Sequence, residues 1–186
     1  MASQKVYISM RHEMVGDTLL PLNAMAKLPV YANVYGEALK KYEGREGLCK
    51  KPIPLLGCEW LDVVFLSPIH PSLVFDEVLK AVKEVSPQDV ELFQGFRQRW
   101  KFVDVSLNEL DPTCIALYLP GEGCEEGVFA QFDGRMPDDF CVIPEEARAL
   151  YREELREGGR PFYWARLWHV LYKGTISLAG KQFCPI

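Results

Sequence analysis

An α+β fold, a mixed or antiparallel sheet packed with about three helices, is the architecture that three observations predict. Strand-like and helix-like stretches follow one another without the regular alternation that builds a doubly wound parallel sheet. Apolar residues recur at every second position in some stretches and at the three-and-four spacing of a helix in others. The chain has 186 residues, 48% of them apolar, which suffices for one well-filled core and is short for two, so residues 1–186 are expected to form a single domain.

The elements follow in order. "KVYISM", residues 5–10, reads as a strand that exits at Arg11 and His12. Gly16, Pro21 and Pro29 interrupt the next stretch, which predicts a loop with a short helical piece. A first amphipathic helix is expected over 30–42, where Tyr31, Val34, Tyr35, Ala38, Leu39 and Tyr42 form a stripe and Gly44 closes the end. "GREGLCKKPIPLLGCEW" is then an irregular connection, long enough to be a functional rim. "WLDVVFLS" reads as a buried strand stopped by "PIHP", and a second helix over 72–84 places Leu73, Val74, Val78, Leu79, Val82 and Val85 on one face with Ser72 as its cap. "SPQDVELFQGF" opens a short helix; "RWKFVDVSL", "TCIALYLP" and "GVFAQFDG" read as three strands of an antiparallel meander, with "GEGCEEG" at a hairpin tip. A third helix over 145–157 carries Ala147, Leu150, Tyr151 and Leu155 and stops at Gly158; the aromatic-dense stretch after it ends as a strand near "HVLYKGTISL".

Composition narrows the classes of function. A net charge of −5 argues against a general nucleic-acid binder, because phosphate backbones are held by clustered Lys and Arg, though it leaves room for a local basic patch. The longest apolar runs are too short to span a bilayer, and the first residues lack the order of a signal peptide, so no membrane contact and a cytoplasmic location are expected. Six cysteines without a C-x-x-C spacing read as reduced thiols rather than as disulfides or a metal site. No phosphate loop or dinucleotide fingerprint is present, so no cofactor is expected.

Candidate chemistry collects at a few places. His70 sits in "SPIHP" between a buried strand and a helix, where Pro68 and Pro71 restrain the backbone and the imidazole can serve as general acid or base. Asp62 lies at the other end of that strand, and Glu46 stands beside Arg45 past the first helix; either carboxylate can orient the histidine. Arg45 offers a two-pronged contact to a carboxylate or phosphate, and Lys173 with Tyr172 on the last strand can close the same site. Trp168 belongs to a set, Phe162, Tyr163, Trp164, Trp168 and Tyr172, that either stacks a planar ligand or fills the core.

Three resemblances accompany these residues. Arg11-His12 after a strand resembles the opening of the histidine phosphatase signature, Arg-His-Gly, with Glu13 in the place of the glycine and the later motifs not evident. "LYKGT", residues 171–175, resembles the His-Gly-Thr strand of ADP-ribosyltransferases, with Lys173 where that family carries its nicotinamide-anchoring histidine and at the far end of the chain from that motif's usual place. The succession of "HEMVGDTLLPLN", "KYEGRE", "CEWLDVVFLSPIHP" and "RPFYWARLWHVLYKGTISL" resembles a small uncharacterised bacterial protein family of similar length, which implies one domain and carries no established activity.

Together these features predict an enzyme of the transferase or hydrolase type acting on a small anionic or nucleotide-like ligand. His70 would do acid–base work, Glu46 or Asp62 would orient it, and Arg45, Tyr172, Lys173 and Trp168 would hold the ligand. The alternative is a non-catalytic module that docks a protein partner on its aromatic C-terminal segment or on the "CKKPIPLLGC" loop. Convergence of His70, Arg45 and Lys173 on one concave surface separates the two.

Overall fold

Alternation within Lys5–Met10 (β1) sends Val6 and Ile8 into a core and leaves Tyr7 and Ser9 on the opposite side, the period-two behaviour of a strand in a sheet. The computed structural model describes residues 4–11, 13–121 and 126–186. After β1 come Thr18–Leu19 (β2), Leu22–Met25 (α1), Ala32–Leu39 (α2), Pro52–Ile53 (β3), Cys58–Glu59 (β4), Val64–Leu66 (β5), Pro71–Val85 (α3) and Val90–Arg97 (α4). Lys101–Ser106 (β6), Ile115–Pro120 (β7), Gly127–Gln131 (β8), Glu145–Arg156 (α5), His169–Tyr172 (β9), Ile176–Ser177 (β10) and Cys184–Pro185 (β11) complete the order. The fold is α+β with antiparallel strand pairing throughout.

Two sheets carry most of the structure, one ordered β1-β6-β11 and the other β5-β9-β7-β8. They meet along a narrow seam, where Tyr7 and Ser67 exchange both backbone hydrogen bonds at 2.8 and 2.9 Å. One side of the joined surface buries Val6, Ile8, Val64, Leu66, Val103, Val105, Leu117 and Val170 against Phe132, Met136 and Leu178. On the other side, Ala116, Tyr118 and Leu171 face Leu48, Ile53, Trp60 and Leu61. The segment read as a rim is therefore a cover over β7 and β9. It contains the small β3–β4 hairpin and is anchored by Lys51, whose ammonium donates to the Tyr118 hydroxyl at 2.8 Å and lies 5.1 Å from the Trp60 ring centroid.

A third core lies beneath α3, α4 and α5, with Phe75, Val78, Tyr151 and Leu167 at its centre. The stripe of α3 differs from its expected membership: Val74, Phe75, Val78, Ala81 and Val82 are buried, and Leu73 is 52% exposed. Its cap also differs. His70, not Ser72, is the N-cap residue, because Pro71 lacks an N–H and takes the first helical position, so the first amide needing an acceptor is that of Ser72. Helix α5 ends where expected, with Gly158 at φ 76° and the Gly159 amide donating back to the Glu154 carbonyl. Helix α2 is flanked by short 3-10 turns at Pro29–Tyr31 and Lys40–Tyr42, and within it no residue is buried.

The meander reading is corrected at β6. That strand pairs with β1 and β11, not with β7, because Leu107 and Leu110 turn down into the first core and two 3-10 turns reset the chain direction before Ile115. Only β7 and β8 form the expected hairpin, with Tyr118 opposite Phe129; most of its tip, residues 122–125, lies outside the described residues. Among the described residues no helix is long and apolar enough to cross a membrane.

Candidate functional site

The candidate cleft forms where the chain breaks after β9. Glycine and threonine follow Lys173, the strand ends, and the backbone turns toward β10, leaving an open depression of about 500 Å³ between that turn, α1 and the β3–β4 hairpin. Its polar lining is Asn23, Lys27, Cys58, Asp62, Lys173 and Thr175. The Lys173 amide is tied to the Cys114 carbonyl at 2.9 Å, and its Nζ donates to the Leu56 carbonyl at 2.9 Å, which fixes the ammonium at the edge of the cleft.

Asp62 is held from two sides. Asn23 Nδ2 donates to one carboxylate oxygen at 2.7 Å and the Glu59 amide donates to the other at 2.9 Å, the second contact closing a capping box over the turn Trp60–Asp62. These bonds, with Lys27 and Lys173 nearby, hold the Asp62 carboxyl below the usual carboxylate range. Burial moves the Cys58 thiol the other way, against the pull of Lys173. A carboxylate stabilised in its ionised form is a weak base, and a thiol kept protonated is a weak nucleophile. The lining thus presents two ammonium groups and one carboxylate.

His70 stands elsewhere. Its Nδ1 accepts the Ser72 amide at 3.2 Å as the cap of α3, and its ring meets Tyr7 and Phe102 edge-on at centroid distances of 4.9 and 4.6 Å. Accepting at Nδ1 places the proton of the neutral ring on Nε2, and burial lowers the pKa despite Asp104 and Asp76. The structure thus brings Asp62 and Lys173 to one cleft and does not bring His70 or Arg45 among the residues that line it.

The other predicted ligand-holding residues have local partners. An Arg45 guanidinium nitrogen donates to the Lys41 carbonyl at 2.6 Å, and the Glu46 carboxylate, its pKa lowered by its own backbone amide and by that of Gly44, accepts the latter at 2.9 Å. Both contacts belong to the turn that follows α2. Trp168 is stacked on Phe140, with ring centroids 3.8 Å apart, on the edge of the first core. The Tyr172 ring covers Gly174, where an added Cβ would come within 2.8 Å of it. Of the C-terminal aromatics only Phe162 is exposed. His12 falls outside the described residues, and Arg11 lies over Trp100 and Phe96.

Sequence reasoning missed Asn23, Lys27 and Thr175. A signal for the first two was present, since positions four apart in "NAMAK" share one side of a helical turn. It also missed His169 in β9, hidden in an apolar run; its imidazole is enclosed although the residue keeps some surface, and desolvation pushes its pKa down to about 4. Among the described residues no group of three or more acidic, histidine or cysteine side chains is placed to hold a metal ion. No family model, curated protein or solved structure matches the chain.

Proposed function

We propose that the protein binds a small anionic molecule in the cleft beside Lys173. The observation that carries this reading is the pairing of two ammonium groups, Lys27 and Lys173, with a single carboxylate that is already engaged by Asn23 and the Glu59 amide. An anion entering the cleft meets a positive balance of charge, with the Asn23 amide and the Thr175 hydroxyl as further hydrogen-bonding groups. Asp62 acts through Asn23, as a positioning group.

A transferase or hydrolase activity would need a base or nucleophile at the bound ligand. The opposite shifts of Asp62 and Cys58 favour binding over a chemical step carried by these side chains. Docking of a protein on the aromatic C-terminal segment draws less support, because Tyr163, Trp164, Trp168 and Tyr172 are partly buried in the cores. The resemblance to a bacterial family supplies no activity, so the proposal rests on the cleft.

A thermal-shift panel of inorganic phosphate, sugar phosphates, nucleotides and small carboxylates tests it. A ligand present at a hundred times its Kd raises stability by about 2.7 kcal/mol, and that shift is expected to disappear in Lys173→Met. No shift across the panel, or a shift that survives both Lys27→Met and Lys173→Met, overturns the proposal.

A further inference from the structure

A second surface, on the opposite strand system, has the makings of a recognition face. The side of β1 away from the core carries Lys5, Tyr7 and Ser9, and Arg11 follows the strand. In the paired strand Phe102 stands opposite Ser9 and Asp104 opposite Tyr7, so all of these residues share one side of the sheet. His70, delivered by the cap of α3, completes a trio of rings with Tyr7 and Phe102, whose own centroids are 6.1 Å apart. The three rings are half-buried and belong to none of the apolar cores. Part of each ring therefore remains open to a ligand.

Charge is organised beside them. The Arg11 guanidinium lies 5.4 Å from the Trp100 ring and 6.0 Å from that of Phe96, and Arg99 lies 5.3 Å from Phe96. Lys5, Arg97 and Lys101 are paired with Asp104, Asp76 and Glu13. Arg11 and Arg99, both exposed, have no carboxylate partner among the described residues. Aromatic undersides hold their planes without neutralising them, so their donors stay available in a restricted orientation.

We propose that this face binds a short single-stranded stretch of nucleic acid. Arg11 and Arg99 contact neighbouring phosphates, and the Tyr7, His70 and Phe102 rings stack against bases, with the His70 Nε2 proton free for a base edge or phosphate oxygen. Flat rings match flat bases, and guanidinium forks match pairs of phosphate oxygens. The net charge of −5 limits the contact to a few nucleotides, since tracking a duplex backbone takes a long basic stripe. This reading is independent of the cleft: its residues and those lining the cleft do not overlap.

Fluorescence anisotropy of the full chain with a labelled oligouridine of about eight nucleotides at low ionic strength tests the proposal. Saturable binding is expected, at least about fivefold weaker in Tyr7→Leu/Phe102→Leu. In Arg11→Ala/Arg99→Ala the slope of log affinity against log salt is expected to fall by about 0.7 per phosphate contact removed, while Lys40→Ala, in the turn after α2, changes nothing. The arginine variants are at exposed positions, so they decide the matter even if the ring variants fold poorly. Absence of saturable binding, or affinity untouched by the arginine pair, overturns the proposal. So does equal, arginine-dependent binding to phosphatidylserine vesicles, which would make the face a general anionic surface.

Discussion

Gly127→Ala places a methyl group against one of the least yielding side chains in the molecule. A Cβ at this position would run into the Tyr118 hydroxyl and come within 2.5 Å of two ring carbons. Tyr118 is 1% exposed, receives the Lys51 ammonium at 2.8 Å, and is wedged between the rings of Trp60 and Phe129 at 5.1 and 4.9 Å. It cannot swing away without breaking those contacts. Insertion of a methyl group into such a site typically costs about 1–3 kcal/mol. At roughly 2–4 °C per kcal/mol for a chain of this size, Tm is expected to fall by about 2–12 °C. Thermal melts should be run on Gly127→Ala, on Tyr118→Leu and on the double variant. If the clash is the cause, the alanine costs far less once the ring is gone, and the cycle returns a coupling of about 1 kcal/mol or more. An unchanged Tm in Gly127→Ala, or an equal cost in both backgrounds, would refute the reasoning.

Two further outcomes can be checked with the same melts. His169 has a folded pKa near 4 against about 6.5 in the unfolded chain, so the unfolded state binds more protons between those values and stability falls as pH drops from 6.5 to 4. The full loss is at most about 3.4 kcal/mol, and His169→Leu should flatten this part of the pH profile; an unchanged profile would show that the imidazole is not desolvated. His70→Ala removes the acceptor for the Ser72 amide and is expected to cost about 0.5–2 kcal/mol, with His70→Asn recovering most of it and neither variant altering the ligand shift of the cleft.

Local physics made several elements legible. The stripe of α5, the pattern of β1 and the apolar runs of β6 and β7 each follow from side-chain periodicity, which a sequence displays directly. Lys173 was singled out by its place in "LYKGT" and as a partner for Arg45; the structure sets it just past β9 at the cleft, without Arg45 among the lining residues. Partner choice was not legible. Whether β6 pairs with β1 or β7 depends on how residues 107–114 bury Leu107 and Leu110, a tertiary preference that strand propensity does not encode. His70 misled for an instructive reason. A histidine between prolines is equally well placed to cap a helix and to face a cleft, and only the position of the Ser72 amide distinguishes the two.

Strand pairing across long stretches of sequence has a consequence during synthesis. The partner of β1 begins at Lys101, and β5 pairs with a strand that begins at His169. At about 5–20 residues per second, β1 leaves the ribosome roughly 5–20 s before β6 does, and β5 waits as long for β9. Throughout that interval Val6, Ile8, Val64 and Leu66, which share one core in the finished molecule, have no sheet to complete. The growing chain therefore carries these apolar side chains for seconds before the strands that cover them exist.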